Sequence, residues 1–160
     1  MIRVGILTVS DSAVKGLRED RSGPELAKRC DELGWSVRRQ AIVEDDRDRI
    51  ANRLLEWADG GDLSIILTTG GTGIAVRDVT PEGTNAVIER EIPGLAEVIR
   101  NEGRNKTKFA ALSRGIAGIR GSTLIVNLPG SPRGALESLD AIAELIPHAA
   151  DLLAGKTEHS

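Results

Sequence analysis

The stretch LSIILTTGGTGIAVRDVTPEGT, residues 63–84, decides the fold. Leu63 to Thr69 is a near-continuous apolar run ending in paired threonines, the pattern of a strand covered by helices on both faces. Gly70, Gly71 and Gly73 then break the run. Thr80-Pro81-Glu82 follows as cap, first helical residue and acidic first turn, which predicts a helix from about Pro81 to Glu91. Strand, glycine turn and helix in that order belong to a βαβ unit. In open α/β sheets of this kind, ligands bind outside the carboxyl ends of the strands.

The flanking sequence repeats the alternation. Upstream, Ile2 to Val9 is a strand rich in β-branched residues, and Ser22-Gly23-Pro24-Glu25 starts a helix with Ser22 as cap. Leu26, Cys30 and Leu33 recur at helical spacing before Gly34 ends the element, which makes Cys30 a core residue. Trp35, Val37, Ala41 and Val43 mark a second strand, and Ile50, Leu54 and Trp57 the buried stripe of a helix closed by Gly60-Gly61. Downstream comes a helical piece over Leu95–Asn101, then a polar loop over Gly103–Lys108. Gly115–Ile119 and Thr123–Leu128 read as strands close enough to form an antiparallel hairpin inside an otherwise parallel sheet. Ser131-Pro132 opens the last long helix, with Leu136, Leu139, Ala143 and Ile146 on one face; Pro147 interrupts it, and His148–Leu153 adds a final turn.

Composition narrows the function. A chain of 160 residues suits one domain spanning 1–160, and 40% hydrophobic with 28% charged residues is a globular balance. A net charge of -3, 2% aromatic content and no tyrosine supply neither a basic phosphate footprint nor a stacking platform, so nucleic acid is not expected as a partner. The single Cys30 forms no internal disulfide, and the opening MIRVGILTV lacks the features of a signal peptide, so the expected compartment is the cytoplasm. No apolar run approaches the roughly 18 to 20 residues of a membrane span, so no membrane association is expected.

The glycine turn points to a phosphate. Bare backbone at Gly70, Gly71 and Gly73 admits an anion to N–H groups that a Cβ would screen, and Thr69 and Thr72 add hydroxyl donors. It is neither a Walker A loop nor a dinucleotide fingerprint, because the Gly-Lys-Ser/Thr and Gly-x-Gly-x-x-Gly spacings are absent. Other strand ends carry Ser10-Asp11-Ser12, with Asp20-Arg21-Ser22-Gly23 further along, then Glu44-Asp45-Asp46, and Leu128-Pro129-Gly130-Ser131. Asp45 and Asp78 are candidates to hold a divalent cation against phosphates. Taken singly, each piece has a plain structural reading: Ser22, Thr80 and Ser131 as helix caps, Asp45-Asp46 as a solvated turn, the glycines as tight packing. Four clusters around one crevice favour the ligand. There is no Gly-x-Ser-x-Gly elbow and no histidine or cysteine ligand spacing, and His148 and His159 read as a helix-surface residue and a tail residue.

Together, SDSAVKGLREDRSG (10–23), TTGGTGIAVRDVTPEGT (68–84), ALSRGIAGIRGSTLIVNLPGS (111–131) and IPHAADLL (146–153) resemble the MogA and MoaB family of molybdenum cofactor biosynthesis. They are similar also to the N-terminal G domain of gephyrin. The resemblance runs over nearly the whole chain. It implies a three-layer α/β/α fold, a homotrimer, and adenylylation of molybdopterin by ATP with Mg2+, releasing pyrophosphate before the molybdate insertase acts. Asp45 and Asp78 match the two acidic residues of the family's active site, and Glu44 departs from the proline that relatives often carry there. Ser10, Asp11, Asp20, Ser22, Ser113 and the Pro129-Gly130-Ser131 turn match ligand-contacting segments, with pterin and nucleotide contacts not separated. A catalytically silent molybdopterin-binding or scaffolding protein would share the fold and loops. Retention of both aspartates favours the enzyme.

Overall fold

A computed structural model describes residues 1–156, so His159 lies outside the described residues. Its strands are β1 (Arg3–Val9), β2 (Ser36–Val43), β3 (Ile65–Thr69), β4 (Arg90–Glu91), β5 (Ala117–Arg120) and β6 (Thr123–Leu128). They form one sheet in the order β2-β1-β3-β6-β5-β4. The first four of that order run parallel, while β5 is antiparallel to β6 and β4 antiparallel to β5. The helices are α1 (Asp11–Val14), α2 (Ser22–Glu32), α3 (Arg47–Asp59), α4 (Thr80–Asn85), α5 (Pro93–Arg104), α6 (Pro132–Ile142) and α7 (Ile146–Leu153). Short 3-10 turns occupy Lys108–Leu112 and Ala143–Leu145.

Each central strand is buried on both faces, which is why its sequence shows no polar alternation. Val4 and Ile6 of β1, Ile65 and Leu67 of β3, and Leu124, Val126 and Leu128 of β6 enter one core with residues of α2, α5, α6 and α7. Leu7, Val9, Ile66 and Ile125 point the other way and pack with Ile50, Leu54 and Trp57 of α3. The result is the expected three-layer α/β/α architecture. Cys30 sits in the first core as expected, and burial pushes its thiol up to about 12, with the Asp31 charge adding to the effect. Among the described residues no helix is long and apolar enough to cross a membrane.

Several boundaries differ from the sequence reading. The helix expected from Pro81 to Glu91 stops at Asn85, because Glu89 N–H donates to Ile119 O and Ile92 N–H to Ala117 O, drawing this stretch onto β5 as β4. Sheet pairing across the chain overrides local helix preference. The stretch expected as a loop over Gly103–Lys108 begins inside α5, which ends at Arg104. Ser22 and Thr80 do not cap their helices, since Arg21 and Val79 occupy the cap positions. The free N–H of Gly23 is taken instead by the Asp20 carboxylate at 3.0 Å. Pro147 lies in the first turn of α7, where its missing N–H costs no hydrogen bond. Ser131 does cap α6, accepting from Gly134 N–H at 3.1 Å.

Candidate functional site

Register brings the polar clusters to one end of the sheet. Val9 lies opposite Val43, Thr8 opposite Thr69, and Thr69 opposite Leu128, so the residues that follow these strands share one rim. Ser10 leaves β1 with its N–H on Val43 O at 2.9 Å and caps α1 by accepting from Ala13 N–H at 3.2 Å. Asp11 and Asp45 then lock the ends of β1 and β2 reciprocally. Asp11 N–H donates to Asp45 Oδ2 at 3.0 Å and Asp45 N–H to Asp11 Oδ1 at 2.8 Å, leaving one oxygen of each carboxylate for another partner. Asp20 Oδ2 accepts from the Thr8 hydroxyl at 2.9 Å, tying the 10–21 loop to β1. Asp46 caps α3 through Arg49 N–H at 2.9 Å.

The glycine turn is bare for reasons that differ residue by residue. Gly70 and Gly71 have φ of 104° and 68°, the left-handed region that favours glycine. A Cβ on Gly70 would strike Val9 O, and one on Gly71 would strike the hydroxyl of fully buried Thr80. Gly70 N–H donates to Leu128 O at 3.2 Å, so this glycine forms the wall between β3 and β6. Gly73 has an ordinary backbone angle. Its missing Cβ leaves room for Asp78, whose Oδ2 would lie 2.8 Å from that atom and which accepts from Ala75 N–H at 3.0 Å.

These segments enclose a cleft of about 440 Å³. Ser10, Asp11, Asp20, Ser22, Asp45, Thr69, Gly70, Gly71, Asp78, Gly130 and Ser131 line it, and so do Thr8, Arg18, Glu19, Arg21 and Arg77. Burial raises the Asp45 carboxyl above its ordinary range; the charges of Asp11 and Asp78 push the same way, against the Asp11 N–H and Arg77. Thr72, Gly73, Ser113 and Pro129 do not line this cleft. They face a second cavity of about 700 Å³ that shares Ser131 with the first and includes Ile99, Arg100, Lys106, Phe109 and Leu112. Residues expected to surround a single crevice therefore divide between two that meet at Ser131. Thr8, Arg18 and Glu19 were absent from the residues singled out in the sequence, and Arg21 and Arg77 figured there only as neighbours of Asp20 and Asp78. Thr8 is hidden by the uniform burial of β1, and Arg18 sits in a loop without periodicity; its place within SDSAVKGLREDRSG was the available signal.

The family model described as "Probable molybdopterin binding domain" matches residues 5–148. The chain is 44% identical over 153 residues to the molybdenum cofactor synthesis protein cinnamon of Drosophila melanogaster, covering 95% of this chain but only 26% of the fly protein. It is 40% identical over 156 residues to a molybdopterin adenylyltransferase of Helicobacter pylori, covering 96% and 89% of the two chains. Among solved structures, the molybdopterin biosynthesis enzyme MoaB of Thermus thermophilus superposes with a TM-score of 0.92 at 50% identity, over 98% of each chain.

Proposed function

Because the chain belongs to the molybdopterin-binding domain family, we propose that it is a molybdopterin adenylyltransferase of molybdenum cofactor biosynthesis. It transfers AMP from Mg-ATP to the terminal phosphate of molybdopterin and releases pyrophosphate. One observation carries the catalytic assignment. Asp45 and Asp78, from different strand ends, line a cleft in which five carboxylates (Asp11, Glu19, Asp20, Asp45, Asp78) face three guanidiniums (Arg18, Arg21, Arg77). A polyphosphate entering such a cleft meets an excess of negative charge, which a cation would offset.

The donor set fits Mg2+, a hard cation that takes carboxylate oxygens together with substrate phosphates. Asp45 and Asp78 would hold it, and it would neutralise the charge of the departing pyrophosphate. The chain's own part is placement. Arg18, Arg21 and Arg77 lie where they can pair with phosphate oxygens, and the two cavities meeting at Ser131 offer room for two substrates side by side. An oxygen of the molybdopterin phosphate bonds to the α-phosphorus of ATP as the bond to the β-phosphate oxygen breaks, and the bonding electrons leave with pyrophosphate. No residue of the chain becomes covalently attached.

The test is pyrophosphate release on mixing the protein with Mg-ATP and molybdopterin. Tight molybdopterin binding without release would overturn the enzymatic reading and favour the silent binder. The same reading takes 1–160 as one domain, places it in the cytoplasm, and gives it the molybdate insertase as a downstream partner. It also assigns a homotrimer, which rests on membership of the family. Sedimentation equilibrium should give three times the 17.0 kDa chain mass, and a stable monomer at micromolar concentration would refute it.

A further inference from the structure

Arg114 lies outside the cleft, yet it holds both ends of the loop that carries Asp78. Its backbone N–H donates to Thr72 O at 2.8 Å. Its Nε donates to Gly73 O at 2.8 Å and its Nη2 to Asp78 O at 2.7 Å. The same guanidinium forks onto Glu82 of α4, with Nη1 on Oε2 at 2.7 Å and Nη2 on Oε1 at 3.2 Å. One side chain therefore spans the segment from where it leaves the glycine turn to where α4 begins.

Apart from these anchors, the loop is closed by Thr80 N–H donating to Gly71 O at 3.1 Å, which lies outside the 73–78 segment itself. In the single chain Ile74 and Val76 are exposed, Val76 fully, so neither is anchored in the chain's own core. Within the loop, Ala75 N–H donates to Asp78 Oδ2 at 3.0 Å and Asp78 N–H to Ala75 O at 2.9 Å. These bonds shape the turn but do not attach it to the sheet. The Arg114–Glu82 pair is partly exposed and by itself contributes little to stability. Its use is geometric: the carboxylate fixes the plane of the guanidinium, and the remaining donors then fix two carbonyls five residues apart.

We propose that Arg114 is a positioning residue for adenylyl transfer, clamping the 73–78 loop so that the Asp78 carboxylate is held at the cleft. The proposal rests on the adenylyltransferase reading for its consequence, but the clamp itself can be measured without turnover. Lysine cannot replace arginine here, because a single ammonium does not reach both carbonyls and the carboxylate.

The experiment compares the parent with Arg114→Met and Arg114→Lys, by pyrophosphate release and by amide hydrogen exchange over residues 73–79, after melting curves establish folding. Both variants should lose about 10- to 100-fold in kcat, with the KM for each substrate little changed. Exchange at Ala75 and Asp78 should accelerate about tenfold or more, with the β3 and β6 amides unaffected. If the methionine variant does not fold, the lysine variant carries the same expectation, since it keeps the charge and loses the span. Parental kcat in a folded variant beside an active parent would overturn the positioning role. Unchanged exchange at both amides would overturn the clamp. An inactive parent whose variants still show accelerated exchange would instead refute the adenylyltransferase reading and leave the clamp standing.

Discussion

Replacing Gly73 with alanine separates the site from the fold. The new Cβ would sit 2.8 Å from Asp78 Oδ2, where ordinary contact begins at 3.4 Å, so the carboxylate or the loop must move by roughly 0.6 Å. No left-handed backbone angle is required at Gly73, so alanine meets no conformational penalty. The hydrogen bond from Ala75 N–H, now 3.0 Å, would stretch beyond useful length. Losing one exposed bond of this kind costs about 1 kcal/mol, or roughly 2–4 °C in Tm for a chain of this size. Catalysis should suffer more, because a displacement near 1 Å of an active-site group can cost about 100-fold. Turnover is therefore expected to fall about 10- to 100-fold in a protein that melts almost normally. Gly71→Ala is the contrast: it forces a φ of 68° on alanine at about 1–2 kcal/mol and drives a methyl into the buried Thr80 hydroxyl, so melting should fall clearly. Pyrophosphate release and calorimetric melting on the same samples decide the matter. Parental turnover in folded Gly73→Ala would refute the placement of Asp78 at the reacting centre.

Asp45→Asn should abolish most turnover while melting no lower than the parent at pH 7. The Asp45 carboxyl is raised from its usual 3.8, chiefly by burial, so its stabilising contribution is complete below that value and is lost as pH rises through the folded value; a melting temperature well below the parent's would refute this. Asn127→Leu should destabilise by about 3–6 kcal/mol in urea unfolding. The Asn127 amide donates to the Thr68 and Thr84 hydroxyls at 2.9 Å each and accepts from Ile116 N–H at 3.1 Å, joining β3, α4 and β6 inside the protein, and a loss under about 1 kcal/mol would show that these groups find other partners.

The layered fold was legible in the sequence because its signals are local. Apolar runs at β1, β3 and β6, helical spacing through Leu26 and Cys30 or Ile50, Leu54 and Trp57, and the Ser131 cap each depend on residues within a turn or two of one another. The glycine turn and the Asp45 and Asp78 positions were visible for the same reason. Long-range hydrogen bonds decided the rest. Residues 89–92 could have continued a helix until Ile119 and Ala117 offered strand partners. The reciprocal Asp11–Asp45 lock, the Arg114 clamp and the division of the polar residues between two cavities meeting at Ser131 have no periodicity along the chain. Composition and spacing determined which residues were available to bind phosphate, whereas only tertiary contact determined which of them face one another, because that depends on strand register and on partners some 30 to 40 positions away.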